Sequence, residues 1–300
     1  MPSPGGEGID AGAPQTTMRV AHLAPDIGAI DFCYQAAKTG NFIGPVLRGP
    51  IDPSANTEAG VLDEGGVLDA DVDANGGGLD PNDGGEVASI VHRTVSKYVT
   101  LNVAGPLTVA IVGAGATSCA SPLFTGDVTL DPAKLSTVVF FGGPGSDGGQ
   151  MLSLAAFTDD RTTADDKARV RVIHAALGTK TKEGTGPIAL RAVAAATTPL
   201  ADRVEPKRAS TASQTVPVDA LGYASVAPIA PPTSLVIGPA SSGELGDASV
   251  DPWQSQASDL GLVGGSLHTA FVLSGEQAHV ILWCADKSTR GSLSACTLLR

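Results

Sequence analysis

The chain has 300 residues, 42% of them hydrophobic, with 37 Gly and 21 Pro but only 7 Phe, 3 Tyr and 2 Trp. That balance fits two modest globular domains of small side chains and excludes collagen, a coiled coil and wholesale disorder, while the absence of any run of about 18 apolar residues excludes a membrane-spanning helix. The formal net charge is −12, and with no Lys or Arg between Arg48 and Arg93 and the rest of the chain nearly neutral, there is no basic stripe for nucleic acid.

In chain order, residues 1–16 lack both the basic start and the apolar core of a secretion signal and read as a flexible tail. Residues 17–160 form a first expected domain, with short runs rich in Val, Ile and Thr: MRVAHL, IDFCY, YVTLNV, LTVAIV, STVVFF and MLSLAAF. An acidic, Gly-rich insertion interrupts it over about residues 50–90. GGPGSDGG satisfies GxGxxG at Gly143, Gly145 and Gly148, but it leads into a strand-like run rather than a helix and reads as a hairpin turn. Residues 161–167 are a polar linker, and 168–300 form a second domain. Within it, IALRAVAAATTPL from Ile188 contains helix-favouring alanines, yet its partner in the repeat described next has strand character, so a strand is expected.

The two domains repeat one another. Met18, Arg19, Val20 and His22 match Val170, Arg171, Val172 and His174; Gly28, Ile30 and Phe32 match Gly186, Ile188 and Leu190. Tyr98 and the AIVG run ending at Gly113 match Tyr223 and the LVIG run ending at Gly238, Thr137 matches Thr269, and Asp159 matches Asp286. Gly and Pro punctuate these runs every ten residues or so, with no helical patterns between them. The expected fold is therefore all-β: two tandem antiparallel β-sandwich domains, Ig-like or transthyretin-like, the first carrying the insertion.

At RVIHAA, preceded by FTDDRTTADDKA, and at the later Tyr-led strand, Gly-Pro step, TVAIV and LSTVVFFG, the chain resembles the domain-of-unknown-function family 4397. The resemblance covers both copies. It implies all-β domains, often in tandem, in exported or envelope-attached bacterial proteins, and it implies no catalytic residues. A lipid anchor on a residue upstream of this chain would suit such a protein.

Each domain holds two of the four cysteines, Cys33 and Cys119 in the first and Cys284 and Cys296 in the second. No CxxC or nearby His suggests zinc, so the even partition points to one disulfide per domain outside the cytosol, with four buried thiols as the alternative. In the insertion, Asp69, Asp71, Asp73 and Asn75 alternate before Gly76, with Asp80 following. Hard oxygen ligands at alternate positions suit a calcium loop, although an EF-hand register from Asp71 meets Asn82 where a bidentate Glu is needed; a solvated loop without cofactor is the plainer expectation. His22 and His174 fall on one strand face with their apolar neighbours and are expected to be structural, bonding backbone at strand ends. Ser266 and His268 share a strand face, a weak hydrolase pattern with no identifiable orienting acid. The expectation is thus a non-catalytic exported or envelope protein that presents a surface or binds an unknown protein or envelope component. A calcium-responsive module is the alternative and a hydrolase the second.

Overall fold

The computed structural model of the chain describes residues 15–36, 40–47, 89–103, 105–132, 134–143, 151–163, 166–179, 182–183, 186–213, 215–231, 233–240, 253–257, 260–275, 279–286 and 295–299. The N-terminal half contributes strands β1 (Thr16–Leu23), β2 (Ile30–Ala36), β3 (Thr94–Val95), β4 (Val99–Leu101), β5 (Gly105–Gly113), β6 (Phe124–Leu130), β7 (Leu135–Phe141) and β8 (Ser153–Asp159). The C-terminal half contributes β9 (Ala168–Ala175), β10 (Gly178–Thr179), β11 (Lys182–Glu183), β12 (Ile188–Val193), β13 (Thr197–Val204), β14 (Tyr223–Val226), β15 (Thr233–Pro239), β16 (Trp253–Ala257), β17 (Leu267–Ser274), β18 (His279–Ala285) and β19 (Ala295–Leu299). The fold is all-β, and among the described residues no helix is long and apolar enough to cross a membrane.

Each half has an inner and an outer sheet. The inner sheets run β3-β1-β7-β8, with β4 also on β1, and β14-β9-β17-β18-β19; the outer ones run β2-β5-β6 and β13-β12-β15-β16. Alternation along the strands sorts the side chains between two faces. On β1 and β7, Met18, Val20, Val138 and Phe140 pack with Phe32, Val109 and Ile111 of the outer sheet. The intervening Ala21, Leu23, Val139 and Phe141 pack with Ile173, Ala175, Phe271 and Leu273 of the other half. A matching core joins Val170, Val172, Ala270 and Val272 to Leu190, Leu235 and Ile237. The order of layers is therefore outer, inner, inner, outer. Burial on both faces is why β1, β7, β9 and β17 read as nearly unbroken apolar runs.

Three local expectations are corrected. The sheets are not antiparallel throughout, because β1 pairs parallel with β7 (Arg19 opposite Thr137) and β9 parallel with β17 (Arg171 opposite Thr269). A parallel pair needs a long crossover, usually a helix; here the outer-sheet strands make the crossing instead, so the lack of helical patterns was no guide to strand direction. IALRAVAAATTPL is strand rather than helix, as expected, but not in one piece: it forms the hairpin β12–β13, bent where Ala194 N donates to Ala196 O at 3.1 Å. The repeat is also one residue out of step at the Gly113 and Gly238 runs. With Ile30 opposite Gly113 and Ile188 opposite Pro239, Val109 and Ile111 correspond to Leu235 and Ile237, the residues that face the cores. A one-residue slip would have turned those side chains to the other face.

Further correspondences emerge in space. Arg93 (φ 64°) and Lys207 (φ 62°) both adopt left-handed backbone and donate their N–H to the carbonyls of His22 and His174. Ser96 and Ser210 N–H groups then donate to Val20 and Val172, each at 2.8 Å. Tyr98 follows Ser96 by two residues, whereas residues 211–222 intervene between Ser210 and Tyr223 in the C-terminal half. The other asymmetry is at the far edge: β19 pairs with β18, but β8, which corresponds to β18, pairs only with β7 among the described residues.

Candidate functional site

Where the inner sheets face each other, the residues shared by the two copies form a reciprocal cluster of charge. Arg19 and Arg171 are both 0% exposed. Arg19 Nη2 donates to Asp286 Oδ1 in the other half at 2.7 Å, and Arg171 Nη2 donates to Asp159 Oδ1 at 2.5 Å. Each Thr opposite an Arg on the parallel neighbour secures the carboxylate of its own half: Thr137 Oγ1 donates to Asp159 Oδ2 at 2.7 Å, and Thr269 Oγ1 to Asp286 Oδ2 at 2.5 Å. Arg19 Nε completes the relay by donating to Thr137 Oγ1 at 2.8 Å, and Arg171 Nη1 reaches the Thr158 carbonyl at 2.9 Å. Tyr98 lies under Arg19 at 5.0 Å and Tyr223 under Arg171 at 4.7 Å, cation–π contacts that add attraction where water is excluded.

Electrostatically these groups are committed to one another. Burial alone would lower the Arg19 pKa and raise that of Asp159, but the opposite charges win: Asp286 and Asp159 hold Arg19 well above its ordinary range, and Arg171 and Arg19 hold the Asp159 carboxyl below its own. Burial raises both tyrosines, so their hydroxyls stay protonated. The Tyr98 hydroxyl donates to Asp159 Oδ2 at 2.8 Å, whereas that of Tyr223 has no hydrogen-bond partner among the described residues. Asp159 is therefore the hub, accepting from Arg171, Thr137 and Tyr98. The cluster provides fixed geometry rather than a titrating group near neutral pH.

Beside the cluster opens a cleft of about 630 Å³, within the usual size range of ligand sites. One wall is β8 at Ala156, Phe157 and Thr158; the other is the 208–211 and 220–222 segments of the C-terminal half, with Glu205 at the rim. Gly222 (φ +87°) is required in that wall, because a Cβ there would meet Ser210 O at 2.7 Å. Arg208 is exposed and has no ion-pair partner among the described residues, while Glu205 is paired with Arg203 at 2.7 Å.

The residues singled out in the sequence are placed as follows. Cys33 is bonded to Cys119 and Cys284 to Cys296. Asp69, Asp71, Asp73, Asn75 and Asp80 lie outside the described residues. His22 Nε2 is 3.0 Å from Gly28 O and His174 Nε2 is 2.9 Å from Gly186 O, so in both halves this nitrogen carries the proton and ties the strand end to the following turn. Ser266 and His268 are not joined: Ser266 Oγ donates to Val263 O at 2.6 Å, and the His268 ring packs on Trp283 with centroids 4.9 Å apart. Burial lowers the His268 pKa to about 4.

The Arg–Asp exchange was missed. The sequence showed both matched pairs, Arg19 with Arg171 and Asp159 with Asp286, and an Arg inside an otherwise apolar strand was the available signal. The chain matches no protein-family model and no curated sequence, so the resemblance to domain-of-unknown-function family 4397 rests on its motifs.

Proposed function

We propose that the chain is a non-catalytic, exported or envelope protein whose two tandem β-sandwich domains, fastened back to back, present a surface for a binding partner. The observation that carries this reading is the division of labour at the site. Charged groups that could have served a ligand satisfy each other inside the interface, while the open cleft is walled by Phe157, Leu221 and small side chains, with Glu205 paired to Arg203 and Arg208 without an ion-pair partner among the described residues. Such a wall offers recognition. The two disulfides support an oxidising, extracytoplasmic setting. Fractionation of the source cells with thiol labelling tests the reading: the expected result is protein outside the cytosol with all four cysteines blocked. Reduced protein in the cytosol contradicts it, as does esterase or peptidase turnover that is lost on Ser266→Ala.

A further inference from the structure

We infer that the cleft beside β8 is a strand-acceptor site that takes an extended, acid-bearing peptide segment of a partner protein as an added edge strand. This deepens the partner-binding reading and rests on it. The first observation is geometric. Successive strand residues point to opposite faces, so a cleft touching Ala156, Phe157 and Thr158 in a row must lie along the edge of β8 rather than over either face.

The second observation is that the protein fills the corresponding edge itself. β8 and β18 hold equivalent places beside β7 and β17, with Phe157 opposite Thr137 and Cys284 opposite Thr269. On β18 the edge is covered by β19, which pairs Leu282 with Leu298 and Cys284 with Cys296, and Cys296 and Leu298 pack against the core between the halves. Ala155 and Phe157 line the same core from β8, with no strand beyond them among the described residues. In place of a fifth strand there is the cleft.

The third observation concerns protection. Exposed edges are usually blunted by Pro, Lys, bulges or shortness. β13 has Pro199, Arg203 and register shifts, β6 has Gly126 and Asp127, and β14 is four residues long. β8, seven residues of sequence SLAAFTD in regular register, has none of these. An antiparallel guest would bond to its edge while its side chains alternate between the two faces, the mode known as β-augmentation. Because Arg208 has no ion-pair partner among the described residues, a carboxylate flanking the guest strand is favoured. A second copy of this chain fits less well, since pairing β8 with β8 would lay the partner's inner sheet on the side already occupied by the wall of residues 208–211 and 220–222.

The probe is a peptide copied from β19 with serine in place of cysteine, made with acidic flanks (ESASTLLE) and with basic flanks (KSASTLLK), titrated into the full-length isotope-labelled protein. The expected result is saturable amide shifts and cross-strand NOEs along residues 154–158, slowed hydrogen exchange there, and about fivefold tighter binding of the acidic peptide. Arg208→Glu, an exposed change, should reverse that preference. Thr158→Glu, which adds a negative charge to the cleft wall, should weaken the acidic peptide more than the basic one. Absence of binding at millimolar peptide, or shifts centred on β14 or β19, would overturn the inference. An exported, non-catalytic protein that fails this titration keeps the partner-binding reading and loses the strand site; a cytosolic or catalytic one loses the parent reading whatever the peptide does.

Discussion

Replacing Asp159 with Ala should be among the most damaging single changes in the protein. It deletes the acceptor for Arg171 at 2.5 Å, Thr137 at 2.7 Å and Tyr98 at 2.8 Å, and leaves two fully buried guanidiniums with Asp286 as their remaining carboxylate. One-sided removal of a buried, hydrogen-bonded pair costs about 3–5 kcal/mol, and Asp159→Ala should reach the upper part of that range. Asp286→Ala should fall lower, because Arg19 still has Asp159 at 3.9 Å. Removing both charges, with Arg171→Met added to Asp159→Leu, should cost less than Asp159→Leu alone, with a coupling of about 2 kcal/mol in the double-mutant cycle of wild type, Asp159→Leu, Arg171→Met and the double variant. Urea unfolding followed by far-UV circular dichroism at pH 7 measures all four states. The pH dependence has a fixed sign. A depressed folded pKa makes the Asp159 contribution fully present above the unfolded value of about 3.9 and lost as pH falls through the lower folded value. Asp159→Asn should flatten that acid limb. A cost below about 1 kcal/mol for Asp159→Ala, or a coupling near zero, would refute the reciprocal pairing.

Opening the disulfides should have unequal effects. Cys33–Cys119 closes a separation of 86 residues and Cys284–Cys296 one of 12, so chain-entropy arguments give roughly 4–5 and 3 kcal/mol, measurable by denaturing the Cys33→Ala/Cys119→Ala and Cys284→Ala/Cys296→Ala variants. His268, with its pKa lowered to about 4, should remain neutral between pH 5 and 8 by NMR titration. Its burial should erode stability as pH falls from about 6.5, where the unfolded imidazole takes a proton, toward 4, and His268→Phe should reduce that slope. Gly222→Ala should destabilise by about 1–3 kcal/mol in denaturant titrations, because both the left-handed backbone and the approach of Ser210 O exclude a Cβ.

Strand content was legible because Val, Ile and Thr cluster between Gly and Pro, and the copied His22 and His174 marked the same strand end in each half. Strand direction was not, since β1 and β7 are apolar on both faces and carry the same pattern whether they pair parallel or antiparallel. The one-residue error at Gly113 and Gly238 has a similar origin: runs of small apolar residues align with themselves at neighbouring offsets. Arg19 and Asp286 are 267 residues apart, so nothing local announces their contact. What the sequence did contain was the conjunction of a duplicated Arg with a duplicated Asp, and the swap between halves follows once the inner sheets are stacked. The residues between Ser210 and Tyr223, which supply part of the cleft wall at Thr211 and 220–222, break the repeat in a stretch of ordinary loop composition and could not be recognised as an addition.

If the halves are fastened through apolar packing and exchanged Arg–Asp pairs, they should unfold together. Differential scanning calorimetry of the full chain with intact disulfides measures this most directly. One transition, with equal calorimetric and van't Hoff enthalpies and a midpoint lowered as a whole by Asp159→Ala, is the predicted result. Two resolved transitions, only one of them moved by that substitution, would contradict it.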